Sequence, residues 1–177
     1  MASSLVITVI GPDRPGLVES LSRVINEYGG NWTRSRMAHL GGQFAGMLHV
    51  TMSETEADDL RTALASLAGD SLQVVIARDD SGGGERQSQT PLHLKLDLVG
   101  QDRPGIVREI SRILNQHGVN VEELSTECES APMSGEMLFK AQATLTAQPG
   151  TDLDALLTDL ESIAHDLMVD VALERPT

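Results

Sequence analysis

Aromatic side chains are scarce in this chain: phenylalanine, tyrosine and tryptophan together make up 2% of its 177 residues. We therefore expect an aliphatic core and no stack of rings on which bases or sugars could lie. There is one cysteine, Cys128, so an intrachain disulfide is excluded and a reducing cytoplasm is the expected location. No apolar run approaches the ~20 residues of a membrane span, and residues 1–10 do not show a signal-peptide pattern.

Basic residues are also few, with 13 lysine and arginine side chains against 26 aspartate and glutamate side chains. The formal net charge is −13. Binding to nucleic acid requires clustered lysine and arginine to contact phosphates, so this balance argues against a direct nucleic-acid surface. If the protein acts on gene expression, we expect it to act through another protein.

One sequence element occurs twice. The segment Gly-Pro-Asp-Arg-Pro-Gly-Leu-Val at 11–18 returns as Gly-Gln-Asp-Arg-Pro-Gly-Ile-Val at 100–107, and further matches follow without a gap. The offset of 89 residues (100 − 11) is half the chain, which indicates a duplicated domain. We predict a first domain over 1–78, a flexible linker rich in glycine and serine over 79–91, and a second domain over 92–177.

Hydrophobic periodicity predicts the elements of the second half. Leucine alternates with polar residues over 92–98, which is typical of a strand, and apolar residues over 106–117 have helical spacing up to Gly118. The loop that follows the second strand contains Pro132 and Gly135. The remaining elements are predicted as strands over 119–127 and 137–146, a helix capped by Thr151, and a strand over 169–173.

The first half repeats this order. Its hairpin is predicted at Gly41-Gly42, and Ser53 with Glu56 forms a capping-box pattern at the start of its second helix. The other elements are strands over 5–10, 31–40, 43–52 and 72–76 and a first helix over 16–28. The order βαββαβ predicts an α+β protein of two tandem ferredoxin-like domains, each an antiparallel sheet with two helices on one face.

The opposite face of each sheet is predicted to be less polar than a solvated surface. Five apolar residues lie out of phase with the core positions of their strands: Val6, Ile10, Ala45, Met47 and Val75. We expect this face to be partly covered, either by the sister domain or by a second chain.

The repeated turn has the composition of an anion site. In each half a strand ends at Gly11 or Gly100, and a helix follows with Pro15 or Pro104 early in its first turn. The unpaired N–H groups of a first helical turn and the positive end of the helix dipole favour a carboxylate. The amides at the start of the second strands, Asn31 and Asn120, would add a donor and an acceptor beside it.

A purely structural interpretation is equally open. Asp13 and Asp102 would then cap the helices, and Arg14 and Arg103 would pair with surface carboxylates. The glycines at 16 and 105 would serve close helix–strand packing.

The turn, the helix and the Gly-Gly-Asn or Gly-Val-Asn that follows it resemble the ACT domain, a family of βαββαβ modules that bind amino acids and regulate enzymes or transcription. The segments 29–46 and 131–135 are, more narrowly, similar to the glycine cleavage system transcriptional repressor family. The resemblance implies ligand contacts between two ACT units, at the turn after the first strand and the start of the second. The residues so implied are Gly11, Pro12, Asp13, Arg14, Gly16, Leu17, Asn31, Gly100, Gln101, Asp102, Arg103, Gly105, Ile106 and Asn120.

The resemblance further implies a cytoplasmic repressor that senses glycine or a related amino acid. Its partner would be a LysR-type transcriptional activator protein, with a homodimer as an added expectation and no cofactor. Two alternatives stay open: a free-standing allosteric subunit of an amino-acid or folate enzyme, and a dimerisation module without a ligand. The two halves differ at Pro12 against Gln101, so one turn could bind a ligand while the other is structural.

Other chemistry finds little support in the sequence. The five histidines show neither a His-x₃-His spacing nor a Cys-His cluster, and no Ser/His/Asp grouping or phosphate loop is present. We therefore expect neither a metal site nor an enzyme. Cys128 stands between Glu127 and Glu129, which predicts a raised thiol pKa. The acidic residues of this strand are expected to be a solvated edge, with a basic partner surface as the alternative.

Overall fold

The structure is a computed structural model that describes residues 2–68, 72–79, 90–131 and 135–175. The chain divides into two compact units, Met1–Glu85 and Arg86–Thr177, each with its own sheet and apolar core. Most of the predicted linker, residues 80–89, lies outside the described residues, as does Pro132 of the second hairpin loop.

Unit 1 has the predicted order of elements. They are β1 (Ala2–Pro12), α1 (Leu17–Glu27), β2 (Asn31–Leu40), β3 (Gln43–Ser53), α2 (Ala57–Ala68) and β4 (Gln73–Arg78). The strands form one antiparallel sheet in the order β2-β3-β1-β4.

Unit 2 repeats the arrangement. Its elements are β5 (Leu92–Gln101), α3 (Ile106–Gln116), β6 (Asn120–Ser130), β7 (Met137–Ala147), α4 (Leu153–Leu167) and β8 (Val169–Glu174). The strand order β6-β7-β5-β8 corresponds to that of unit 1. The predicted α+β class and the tandem ferredoxin-like fold are confirmed.

Each core lies between one face of the sheet and the two helices. Alternate residues of the central strand, such as Leu94, Leu96 and Leu98, are buried against the apolar face of the helices, including Leu156 and Leu160 of α4. Burying one such side chain stabilises the fold by roughly 1.5–3 kcal/mol. The period of two in the strands and of 3.6 in the helices places these residues on one side, which is why the sequence pattern predicts the core.

The helix-free face of sheet 1 is apolar, as predicted. Ile10, Met47 and Val75 are exposed to 44%, 54% and 66%, and they alternate along their strands with the residues that face the core. For sheet 2 the prediction is wrong, because the same face is mainly polar there and Gln142 donates a hydrogen bond to Asp97 at 2.9 Å.

Both outer strands contain a β-bulge at the same place. The pairing of β2 with β3 shifts between Trp32 and Arg34, and the pairing of β6 with β7 shifts between Val121 and Glu123. Each bulge adds one unpaired residue and bends the strand. The bulges lie 89 residues apart, so they belong to the repeat.

Several local predictions can be compared with the structure. Gly41 and Gly42 both have positive φ, which is the conformation that a two-residue hairpin requires. The predicted cap Thr151 is wrong: Asp152 is the N-cap of α4, and its carboxylate accepts a hydrogen bond from the Ala155 N–H at 3.0 Å.

The predicted capping box is also wrong. A 3₁₀ turn precedes α2, and the Ser53 hydroxyl bonds the Thr55 hydroxyl instead of a backbone N–H. Among the described residues, no helix is long and apolar enough to cross a membrane.

Candidate functional site

The first helix of each unit begins later than predicted. Gly16 is the N-cap of α1 with φ 88°, and Gly105 is the N-cap of α3 with φ 100°. A residue with this φ cannot belong to a right-handed helix, so each helix starts at the next residue. Pro15 and Pro104 therefore precede the N-cap, and the prediction that they lie in the first turn is wrong.

Neither helix start is capped by a side chain. The first intrahelical bonds run from Ser20 N–H to Gly16 C=O and from Glu109 N–H to Gly105 C=O, and the N-caps accept no side-chain bond. Within a helix, the backbone N–H groups before such a bond lack an intrahelical partner. They form a small positive surface at the start of α1 and of α3.

Space is available beside both N-caps. A Cβ placed on Gly16 or Gly105 would meet no heavy atom within 4 Å. The alternative that these glycines serve close helix–strand packing is therefore wrong. Glycine is required there because of φ and not because of close packing.

The aspartates of the repeated turn do not cap the helices. The N–H groups of Asp13 and Asp102 donate to the carbonyls of Gly42 and Met137, both at 3.0 Å, so the turn is attached to the adjacent hairpin. The Asp13 Oδ2 atom lies 3.8 Å from His39 Nε2.

In unit 2 the equivalent contact is made by Cys128. Partial loss of solvent, the charge of Asp102 and a hydrogen bond to that carboxylate raise the pKa of the exposed Cys128 thiol. The predicted direction is confirmed, but the carboxylate responsible is Asp102 and not the flanking glutamates. A thiol held protonated in this way is a poor nucleophile.

A polar network distinguishes the second turn from the first. Gln101 Nε2 donates to Glu136 Oε2 at 3.4 Å, and Arg103 Nη2 donates to Gln101 Oε1 and to Met168 Sδ, both at 3.1 Å. Pro12 stands where unit 2 has Gln101, so unit 1 cannot make this network. Among the described residues, Arg103 pairs with no carboxylate, and exposed Arg14 makes no ion pair either. The structural alternative, in which both arginines pair with surface carboxylates, is therefore wrong for these residues.

Three predicted site residues have structural roles. A Cβ on Gly100 would lie 2.5 Å from Val169 Cγ1 and 2.6 Å from the Met168 carbonyl oxygen, so glycine is needed there for the close approach of β8. Leu17 and Ile106 are buried core side chains. Only their backbone N–H groups belong to the turn surface. Gly11 is buried within β1.

The asparagines lie at the far end of the sheet within their own units. Asn31 and Ser4 pair with the same residue of β3, Thr51, whereas Gly11 pairs with Phe44. These levels are seven positions apart along β1, or about 23 Å at 3.3 Å per residue. Asn120 is equally distant from Gly100. The prediction that each amide lies beside the turn of its own unit is therefore wrong.

Sequence reasoning did not identify His39, Cys128, Glu136 and Met168 as neighbours of the turns. A signal for the first two was present, because 39 + 89 = 128 and both residues occupy the same position of the repeat. Glu136 reaches the turn because β7 pairs with β5, and Met168 reaches it because its backbone is left-handed (φ 56°). No local sequence pattern predicts either arrangement. Among the described residues, no group of histidine, cysteine and carboxylate side chains could hold a metal ion.

Comparisons with known proteins agree with this architecture. The ACT domain family matches residues 3–76 and 93–174. The glycine cleavage system transcriptional repressor of Escherichia coli (strain K12) is 26% identical over 151 residues, covering 85% of this chain and 77% of the relative; that of Shigella flexneri gives the same values.

Two crystal structures are similar over the whole chain. A protein of unknown function from Galdieria sulphuraria has a TM-score of 0.87 and 29% identity, with 100% of both chains covered. A candidate glycine cleavage system transcriptional repressor has a TM-score of 0.68 and 20% identity, with 99% of both covered, and shows the same fold. The chain therefore belongs to the ACT domain family, with two ACT domains in tandem, and is related to the glycine cleavage system transcriptional repressor of Escherichia coli.

Proposed function

We propose that this protein is an amino-acid-responsive, non-enzymatic regulator that represses transcription of the glycine cleavage system in the cytoplasm. It acts through a LysR-type activator protein and does not bind DNA itself. The relationship to the repressors supports the pathway, and the net charge of −13 supports a protein target. The observation that carries the proposal is the duplicated helix start, with uncapped amides and open space beside Gly16 and Gly105.

The ligand proposed for this site is glycine or a close relative. Its carboxylate would accept hydrogen bonds from the uncapped amides at the start of α3, where the helix dipole is favourable. The Gln101 amide oxygen and the Glu136 carboxylate lie at the same turn and can accept bonds from an α-ammonium group. We assign the ligand to the second turn, because Pro12 gives the first turn no equivalent acceptor.

The positions of the asparagines suggest that a second ACT unit would complete such a site. Because Asn120 lies about 23 Å from the turn of its own unit, its amide can reach a ligand only at a turn of another ACT unit. A homodimer would provide such a neighbour, and we propose one on that basis.

A thermal-melt panel against the twenty amino acids tests the ligand. A ligand at about a hundred times its dissociation constant adds roughly 2.7 kcal/mol, which is a shift of several degrees for domains of this size. We expect a shift for glycine or a close relative that is lost in Gln101→Ala and Asp102→Ala. The matched unit 1 variants, Pro12→Ala and Asp13→Ala, should retain it. An unchanged shift in both unit 2 variants would exclude the second turn.

Gel-shift titration tests the partner. The purified protein alone should leave glycine cleavage operator DNA unshifted, and it should retard further the complex of that DNA with a LysR-type activator. Retardation of the DNA by the protein alone would contradict the proposal. A stable complex with an amino-acid or folate enzyme, and none with the activator, would favour an allosteric subunit instead.

A further inference from the structure

Met168 has a backbone conformation that is unusual for its residue type. It is the C-cap of α4 with φ 56° and ψ 46°, and among the described residues it is the one residue other than glycine with positive φ. Glycine or asparagine is usual at such a helix end, because a larger side chain in the left-handed region costs about 1–2 kcal/mol. The backbone therefore gives no reason for a methionine at this position, and the reason has to lie in its side chain.

That side chain contacts the second turn. Arg103 Nη2 donates a hydrogen bond to Met168 Sδ at 3.1 Å, and the same nitrogen donates to Gln101 Oε1 at the same distance. A thioether sulfur is a weak acceptor, whereas an amide oxygen is an ordinary one. The position of the guanidinium beside the turn is thus set by one ordinary and one weak hydrogen bond.

The sulfur atom is also accessible to solvent. Met168 is exposed to 62%, compared with 54% for Met47 and 49% for Met137. Exposed thioethers are readily converted to sulfoxides. A thioether sulfur has two lone pairs, and the bond from Arg103 occupies one of them. An oxidant can therefore approach Met168 at the other lone pair, which faces away from the guanidinium.

The reaction with hydrogen peroxide is balanced as follows. The free lone pair of the Met168 sulfur attacks one peroxide oxygen, an S–O bond forms and the O–O bond breaks. The second oxygen leaves as water and carries both hydrogens. The sulfur is oxidised by two electrons and the peroxide is reduced by two. Dedicated reductases reverse the modification, one enzyme for each sulfoxide epimer.

Oxidation changes the acceptor that Arg103 meets. In a sulfoxide the oxygen is the strong acceptor, and the sulfur carries a partial positive charge. A hydrogen bond from a guanidinium to oxygen is about 2.8 Å long. Because Nη2 now lies 3.1 Å from the sulfur itself, it has to move by roughly 1 Å or more to bond the added oxygen. A movement of this size breaks its 3.1 Å bond to Gln101 Oε1.

The arrangement differs in unit 1. Pro12 stands at the position of Gln101 and has no side-chain acceptor, so Arg14 cannot make the bond that Arg103 makes. The exposed methionine of unit 1, Met47, lies within β3 and not at the turn. We therefore expect oxidation to affect the turn of unit 2, and Met47 provides an internal reference.

We propose that Met168 is a site of reversible oxidation by hydrogen peroxide or a related peroxide, and that Arg103 responds to the sulfoxide. Because Arg103 shields one lone pair, one sulfoxide epimer forms in excess. The sulfoxide draws Arg103 away from Gln101, whose amide oxygen then becomes available to the α-ammonium group of an amino acid. This last step rests on the proposed function, whereas the modification itself does not.

Peptide mass spectrometry after treatment with hydrogen peroxide tests the modification. We expect one added oxygen at Met168 and none at the buried Met52, which reports that the protein stays folded. Repair by two epimer-specific methionine sulfoxide reductases, used separately, measures the epimer ratio. One epimer should exceed the other about fivefold at Met168, the effect of one hydrogen bond, and the two should be more nearly equal at Met47.

Variants assign the excess to the arginine. Arg103→Ala should bring the epimer ratio at Met168 close to one, because both lone pairs are then open to peroxide. Arg108→Ala removes the same charge from an exposed position of α3 and should leave the ratio unchanged. Equal epimers at Met168 in the wild type, or an excess that survives Arg103→Ala while Met52 stays unmodified, would overturn the proposal.

Calorimetric titration with glycine tests the effect on the ligand. The oxidised wild type should bind glycine about fivefold more tightly than the untreated protein, since one acceptor is released. Peroxide should not change the affinity of Met168→Leu, which cannot be oxidised at this position. An affinity that is unchanged in the oxidised wild type, or changed equally in Met168→Leu, would overturn the release of Gln101.

The two proposals fail separately in these experiments. The mass-spectrometric test uses no amino acid, so its failure beside an intact glycine response overturns the oxidation site alone. An absent response to every amino acid, beside an epimer excess that depends on Arg103, overturns the ligand-sensing function and leaves the oxidation site in place.

Discussion

The Asp102 carboxylate lies beside the Cys128 thiol and raises its pKa, which places the turn after β5 next to the hairpin of β6 and β7. The equivalent pair in unit 1 is Asp13 and His39, and the Oδ2 atom of Asp13 lies 3.8 Å from Nε2 of His39. The contact therefore occurs at the same position of both repeats, but an imidazole makes it in unit 1 and a thiol in unit 2. In both units the aspartate attaches the turn to the hairpin and leaves the helix amides uncapped.

The first prediction concerns the reactivity of Cys128. Because Asp102 helps to raise the thiol pKa, Asp102→Asn should increase the thiolate fraction and accelerate alkylation at pH 8. The rate of reaction with iodoacetamide measures this. Glu127→Gln is the matched control, and it should change the rate less than Asp102→Asn does. A larger effect of the Glu127 change would show that the flanking glutamates, as the sequence predicts, control the thiol.

The second prediction concerns the N-cap of α3. Gly105→Ala forces an alanine to φ near 100° and should lower the free energy of unfolding by roughly 1–2 kcal/mol. Gly105→Asn should cost less, because asparagine tolerates positive φ better. Urea denaturation compares the two variants. Since a side chain here meets open space, equal losses for alanine and asparagine would show that φ is not the cause.

The third prediction concerns the contact of Gly100 with β8. An alanine Cβ would clash with the Val169 side chain and with the backbone, so Gly100→Ala should destabilise unit 2 by roughly 1–3 kcal/mol or more. Shortening the neighbour in Gly100→Ala/Val169→Ala should recover little of this loss, because the Met168 carbonyl still lies 2.6 Å away. Denaturation of the single and double variants measures it. Full recovery of stability in the double variant would show that the alanine Cβ clashes with the valine side chain alone.

The fourth prediction concerns pH. The bond to Glu129 raises the pKa of Lys140 above its ordinary value of 10.5, against a smaller opposing effect of desolvation. A lysine with a raised pKa in the folded state contributes stability that is complete below 10.5 and is lost as the pH rises through the folded-state pKa. The melting temperature of the wild type should fall more steeply above pH 10.5 than that of Lys140→Gln. Parallel curves would show that the pair adds nothing to stability.

Agreement between sequence and structure is closest where a feature depends on neighbouring residues. The end of α3 at Gly118 and the hairpin at Gly41-Gly42 follow from glycine in the left-handed region, and both glycines have positive φ. The helix starts were predicted less well. Proline suits a first turn, but Gly105 comes next, and its φ of 100° moves the start of α3 to Ile106.

Features that depend on distant residues could not be predicted. Asn120 was expected beside its turn because both are strand ends. The antiparallel register places it seven positions away along β5. The need for glycine at position 100 comes from β8, which follows it by about seventy residues in the chain and approaches its backbone only in the folded sheet.

The sequence by itself determined the duplication, the order of elements and the acidic charge, since all of these depend on composition, periodicity and local turn chemistry. The tertiary structure decided where the first helix of each unit begins, which side chains lie at the repeated turn, and which end of the sheet holds the asparagines. Strand register and bulges set these relationships, and they are established between residues that are far apart in the chain.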